Sequence, residues 1–166
     1  VNRFNGLPTR KKLEELENQG RLPTGLREFI NEVKQKHTKD VISKHCVPDY
    51  SKLILLQNLK DRGYKLACCS NSIKETLHMM LKSAHLFDFF DLIIGNDEIT
   101  NSKPHPEIYL TTFERLGVEP HECIIVEDAP HGIAAAEASG AKVYKVRNVE
   151  DVNLSLFEEL ILEIQK

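Results

Sequence analysis

The spacing of apolar positions changes once along the chain. Up to about Val47 they recur at helical intervals. Lys11 to Asn18 reads as a short helix, with Pro8-Thr9 before it and Gly20 after it. A second helix follows Pro23-Thr24. Its apolar positions are Leu26, Phe29, Ile30, Val33, Val41 and Ile42, with polar residues between, so the helix is one-sided. Pro48 marks a boundary. The pattern predicts a helical unit over residues 1–47 and a second unit over 48–166.

From Ser51 the pattern alternates between helix and strand. Helices are predicted at Ser51–Arg62 (closed by Gly63), Ser72–Ala84, Pro106–Leu116 (stopped by Gly117), Pro130–Ser139 (stopped by Gly140) and Asn153–Ile164. Short apolar strands are predicted at Tyr64–Cys69, Asp91–Gly95, Cys123–Val126 and Lys142–Val146. Strands separated by helices call for an α/β fold, a parallel sheet with helices on both faces and right-handed crossovers. The helical unit adds a small cap. No internal repeat or low-complexity segment interrupts the pattern.

Ligands of such sheets bind beyond the carboxyl ends of the strands. Those ends collect Ser70-Asn71-Ser72, then Gly95-Asn96-Asp97 with Lys103-Pro104 in the loop that follows, then the adjacent acids Glu127 and Asp128. Each has a plain structural alternative. Ser70 and Ser72 are residue types that cap helices, Lys103 alone suits a surface position, and Glu127-Asp128 suit a helix N-terminus. Together they make a charge-balanced phosphate site. Serine and helix N–H groups donate to a phosphoryl group, a lysine neutralises it, and two acids share a hard cation such as Mg²⁺.

Composition narrows the classes. At 166 residues, 41% hydrophobic and 28% charged, the chain can bury a core. A net charge of −3 gives no reason to expect a nucleic-acid or membrane-surface partner. Cys46, Cys68, Cys69 and Cys123 show no CxxC spacing, which predicts reduced thiols and a cytoplasmic location. No apolar run approaches the roughly 18 residues needed to cross a bilayer, and no signal-peptide pattern opens the chain.

LACCSNS with Ser70, SKPHPEIY with Lys103, and IIVEDAPHGIAAAEASGA with Glu127 and Asp128 occur in that order, with LKDRGYKL ahead of the first. These segments resemble the second, third and fourth motifs of the haloacid dehalogenase superfamily. The likeness is to its phosphatase and phosphomutase branch with a small helical cap, the β-phosphoglucomutase-like group. The resemblance implies a Rossmannoid fold and Mg²⁺-dependent phosphoryl transfer on a small phosphorylated metabolite such as a sugar phosphate. It implies that Ser70 and nearby amides, including Asn71, hold the phosphoryl group. Lys103 would neutralise charge in the transition state, and Glu127 and Asp128 would hold the metal. FNGLPTRKKL is similar to the cap's specificity loop, with Gly6, Thr9 and Arg10 facing the site, and Lys34 is a further cap candidate beside its reading as a solvated helix residue.

The family's first motif, DxDG, carries the nucleophilic aspartate and the acid/base aspartate on a central strand. This sequence has no such motif. Asp88 and Asp91, in FDFFDLI, lead into a different strand. The first residue is Val1, which predicts a processed or truncated start. The expectation is that the first, central strand and a few dozen residues around it are absent from this chain. The slot between two apolar strands would then leave buried N–H and C=O groups unpaired, and the missing N-terminal segment of the same protein would be a partner. The alternative function is a non-catalytic fragment or pseudoenzyme that binds phosphate or a partner. A 2-haloacid dehalogenase ranks below both, because those relatives lack the metal site and this chain keeps the Glu-Asp pair.

Overall fold

The computed structural model describes residues 7–164. Among the described residues, seven α-helices and four strands alternate as the periodicity predicts. The first two helices, α1 (Thr9–Asn18) and α2 (Arg27–His45), pack on each other. α2 also rests on α4 (Lys74–Ser83) through the Lys39–Glu75 ion pair at 2.7 Å, the Gln35–Thr76 contact at 3.4 Å and Cys46 Sγ on the Met80 carbonyl.

Gln35, Lys39, Ile42 and Cys46 fall on one side of α2, at about 100° per residue. Leu26, Phe29 and Val33 fall on the opposite side and are exposed, Phe29 to 62%. Ile42 is the buried residue of this helix. The apolar stripe read from the sequence is therefore present, but most of it faces away from α4.

In the second unit, α3 (Tyr50–Asp61) leads to β1 (Ala67–Cys69), which pairs in parallel with β2 (Leu92–Ile94), Cys68 opposite Ile93. β3 (Ile124–Glu127) pairs in parallel with β4 (Lys142–Lys145), Ile125 opposite Val143. The four strands make two two-stranded ladders, β1-β2 and β3-β4. Among the described residues, β1 and β3 each leave one edge without a ladder partner. β1 is shorter than the sequence predicts. Residues 64–66 lie outside the ladder, and Leu66 N–H is taken by the Asp91 side chain at 2.8 Å.

The core spans both ladders. Ile94 from β2, Ile125 from β3, Ile108, Tyr109 and Phe113 from α5 (Glu107–Leu116), and Ala135 and Ala136 from α6 (Pro130–Ala138) form one buried cluster. α5 packs on β1 and β2, and α6 packs on β3 and β4. Burying these apolar side chains is what holds the two ladders together. α7 (Leu154–Ile164) closes the chain, with Leu156 packed beside Val146. No helix of the described residues is long and apolar enough to cross a membrane.

Candidate active site

The carboxyl ends of β1, β2 and β3 open into one cavity of about 790 Å³. Ser70, Asn71, Asn96, Lys103, Glu127 and Asp128 all line it. The rim read from the sequence is thus assembled in space.

Ser70 is fixed by the ladder, since its N–H donates to the Ile94 carbonyl at 3.1 Å. Its hydroxyl accepts the Ser72 N–H at 3.1 Å, which closes a tight turn into the cavity. Neither serine caps α4. The residue before that helix is Ile73, with no side-chain cap bond. Instead the free Lys74 N–H is taken by Asp97 Oδ1 at 2.8 Å, from the loop after β2. Gly95 permits this approach, because a Cβ there would fall on the Lys74 backbone and the Asp97 carboxylate. Asp97 was legible in the sequence only as one more acid on the rim, and its role as a cap supplied from a neighbouring loop depends on tertiary packing.

Lys103 is 5% exposed, so it is no surface lysine. Its ammonium forms an ion pair with Glu127 Oε1, donates to the Cys69 carbonyl at 3.2 Å, and sits 4.7 Å from the centre of the Tyr109 ring. It therefore ties the ends of β1 and β3 together and satisfies one carbonyl at the open edge of β1. Tyr109 donates its hydroxyl to the same Glu127 oxygen at 2.8 Å. Burial raises the Tyr109 hydroxyl pKa, and the Glu127 charge and hydrogen bond raise it further, so the hydroxyl stays a donor. The other Glu127 oxygen accepts the N–H groups of Asp128 and Ala129 at 3.2 and 3.4 Å. Burial alone would raise the Glu127 pKa, but Lys103 and the Tyr109 hydrogen bond overcome it and hold the carboxyl below its ordinary value. Gly132, on the first turns of α6, makes room for this arrangement, since a Cβ there would collide with the Glu127 carboxyl. Beside it, the thiol of Cys68 is pushed up to about 11 by burial, and that of Cys69 is also raised, first by burial. The four cysteines are free thiols.

Asp128 follows Glu127 at the cavity and is exposed, and no hydrogen bond engages its carboxylate among the described residues. The donor set suits a hard cation in one respect. Asp128 offers free carboxylate oxygens next to a second acid, and Mg²⁺ takes few protein ligands, completing its shell with water and phosphate. Glu127 Oε1 is committed to Lys103 and Tyr109, so a cation would reach Glu127 through Oε2, which accepts two long backbone N–H bonds, or by drawing Oε1 from that pair. No cluster of three or more metal-ligating side chains occurs among the described residues.

The opposite wall comes from the two N-terminal helices. Thr9 and Arg10, expected from the sequence, line the cavity, as does Lys34. Gly6 lies outside the described residues. Lys12, Asn31 and Gln35 also line this wall and were missed. The signal for the last two was available, because Asn31, Lys34 and Gln35 stand at the three-and-four spacing of one helix face. Partial burial, and then the neighbouring Lys12, lower the Lys34 pKa from its ordinary value. Asp91, by contrast, is structural. It pairs with Lys60 at 2.8 Å and caps Leu66, and those bonds lower its pKa.

The model of the haloacid dehalogenase-like hydrolases matches residues 1–146. A pyrophosphatase of Bacillus pumilus (strain SAFR-032) is 40% identical over 87 residues, which is 52% of this chain and 40% of that protein. A phosphoglycolate phosphatase of Aquifex aeolicus (strain VF5) is 36% identical over 116 residues, 70% of this chain and 54% of that protein. The chain thus spans about half or less of the length of these curated relatives. Among solved structures, the β-phosphoglucomutase of Clostridium difficile superposes with a TM-score of 0.80 at 25% identity, over 98% of this chain and 79% of that one.

Proposed function

The chain belongs to the haloacid dehalogenase-like hydrolases, and from that premise we propose that it carries the phosphoryl-binding half of a Mg²⁺-dependent phosphatase or phosphomutase acting on a small phosphorylated metabolite. The observation that carries the reading is the buried Lys103. Its position between the ends of β1 and β3 supports a charge neutraliser aimed at the cavity rather than a solvated side chain.

In this reading the Ser70 hydroxyl and the Asn71 region receive the phosphoryl oxygens. Lys103 turns from Glu127 to the incoming anion, and positioning of this kind carries most of phosphoryl-transfer catalysis. Asp128, with Glu127, would hold Mg²⁺, which would neutralise charge on the phosphoryl oxygens. Residues 1–47 act as a cap over the core formed by 48–166, and Gly6, Thr9 and Arg10 select the substrate. The free edges of β1 and β3 take a strand from an N-terminal segment of the same protein, which brings the nucleophilic aspartate that the family resemblance implies. The free thiols fit a reducing, cytoplasmic setting.

The test is hydrolysis of p-nitrophenyl phosphate, with and without Mg²⁺, by the longest form of the protein and by its Asp128→Ala variant. Metal-dependent turnover that disappears in the variant is expected. Unchanged turnover in Asp128→Ala sinks the metal assignment.

A second reading, phosphate binding without turnover, is favoured by one observation. Asp97 and Glu127 are both engaged in hydrogen bonds, so the cavity has no spare carboxylate nucleophile beside Asp128 among the described residues. Turnover by the 166-residue chain alone would exclude this reading.

A further inference from the structure

Tyr109 carries one group that its place in the core does not call for. Its ring belongs to the buried cluster with Ile94, Ile108, Phe113 and Ile125, and the residue is 4% exposed. A phenylalanine would fill that space and offer a similar face to the Lys103 ammonium, which lies 4.7 Å from the ring centre. The hydroxyl adds a hydrogen bond donated to Glu127 Oε1 at 2.8 Å. Tyr109 does not line the cavity, so it can act on a ligand there only through Lys103 and Glu127, which do. At rest Glu127 Oε1 has two side-chain donors, the ammonium and this hydroxyl. Oε2 has the N–H groups of Asp128 and Ala129, at 3.2 and 3.4 Å. Once Lys103 turns to an incoming phosphoryl group, the Glu127 side chain, 12% exposed, keeps one strong donor among the described residues, the Tyr109 hydroxyl. That donor does not follow the lysine, because the core holds its ring.

We propose that Tyr109 is a positioning residue, whose hydroxyl keeps Glu127 in place and hydrogen-bonded while Lys103 is drawn to the phosphoryl group. This rests on the phosphoryl site at Ser70 and Lys103 and names the residue that lets the Lys103–Glu127 pair open. The hydroxyl matters most when the lysine is gone, since a hydrogen bond to a buried carboxylate is stronger where no cation neutralises it. Losing the hydroxyl therefore penalises the ligand-bound state more than the free one, and the loss shows as affinity as well as stability. A purely structural tyrosine would penalise both states alike.

The experiment is calorimetric binding of orthophosphate to the chain. The proteins are the wild type, Tyr109→Phe, Glu127→Gln, the Tyr109→Phe/Glu127→Gln double variant, Lys103→Met, and Tyr50→Phe as a control for loss of an exposed tyrosine hydroxyl. Tyr109→Phe should weaken binding about tenfold, a difference of about 1.4 kcal/mol. In the Glu127→Gln background the same change should weaken it by less than about twofold, because no buried charge is uncovered there. Lys103→Met should weaken binding, and Tyr50→Phe should leave it unchanged. A second readout does not need Tyr109→Phe to fold. Tyrosine labelled with carbon-13 at Cζ gives a Tyr109 resonance, assigned by elimination with Tyr50→Phe, Tyr64→Phe and Tyr144→Phe. Orthophosphate should move it in the wild type and not in Lys103→Met.

Wild-type affinity in Tyr109→Phe, an equal loss in both backgrounds, or a Tyr109 resonance that ignores the ligand overturns the positioning role. With Lys103→Met weakened, the phosphoryl site survives each of those results. Lys103→Met that binds as tightly as the wild type overturns the phosphoryl site, and the positioning role with it. Failure of the wild type to bind orthophosphate removes both.

Discussion

Replacing Lys103 with methionine should destabilise the protein in a way that depends on pH. The substitution keeps most of the side-chain volume, so cavity terms are small. What remains is Glu127, a largely buried carboxylate that has lost its cation. Removing one partner of a buried pair costs about 3–5 kcal/mol. Glu127 keeps the Tyr109 hydroxyl at 2.8 Å, and two backbone N–H groups at 3.2 and 3.4 Å that lie at the long end for hydrogen bonds. It also borders the cavity, where water can approach. These contacts reduce the expected loss to about 2–3 kcal/mol at neutral pH. In urea, with a slope near 2 kcal/mol/M, that is a midpoint lowered by about 1–1.5 M.

The pH dependence separates this cause from general damage. In the wild type Glu127 has a depressed pKa when folded. Its stabilisation is complete above the unfolded value, about 4.3, and is lost as pH falls through the folded one. Without Lys103, burial dominates and the folded pKa rises above the unfolded value. The variant is then penalised at neutral pH and recovers as pH falls through its raised pKa. The gap between the two proteins should therefore narrow between about pH 7 and pH 4. A matched substitution in the exposed pair, Lys39→Met against Glu75, should change stability by no more than about 0.5 kcal/mol at any pH. A Lys103→Met loss under about 0.5 kcal/mol, or a larger one constant across that range, would refute the buried-pair reasoning.

Two further substitutions test how the rim is built. Asp97→Ala removes the acceptor for the Lys74 N–H and should cost about 1 kcal/mol in the same urea titration. Ser72→Ala, which removes no cap, should stay within about 0.5 kcal/mol; the reverse ranking would return the cap to the serine. Gly132→Ala places a methyl where the Glu127 carboxyl lies, so it should cost about 1–3 kcal/mol and weaken orthophosphate binding, both read on one purified variant.

The positions of Ser70, Lys103 and Glu127-Asp128 were legible because strand ends of a parallel arrangement share one edge, and order along the chain names what sits there. Their partners were not legible. A lysine before a proline reads as solvated until α5 carries the Tyr109 ring beside its ammonium and the end of β3 brings Glu127 to it. Periodicity marked an apolar stripe on α2 but not its direction. That was settled by the contacts of Gln35, Lys39 and Cys46 with α4, which turn Leu26, Phe29 and Val33 outward. Lys12 joined the cavity for the same reason, since docking of the helical pair, not local sequence, decides which lysines face inward.

The Lys103–Glu127 pair also bears on how the proposed ligands would act on each other. At rest the lysine satisfies Glu127, so an anion does not meet a free Lys103 and a cation meets only Asp128 of the two acids free. An incoming phosphoryl group that draws the ammonium away uncovers Glu127 Oε1, and a cation at Asp128 that draws the carboxylate away frees the ammonium. Each ligand removes the obstacle to the other. Their affinities should therefore rise together, and linkage makes the factor the same in both directions. Coupling of this kind is typically about 5–150-fold. Orthophosphate titrations with and without Mg²⁺, and Mg²⁺ titrations with and without orthophosphate, measure the factor twice. Glu127→Gln should shrink it, because a neutral amide holds Lys103 weakly and offers a poor ligand. Independent binding of the two ions to the wild type would mean that the pair stays closed and that Lys103 is structural.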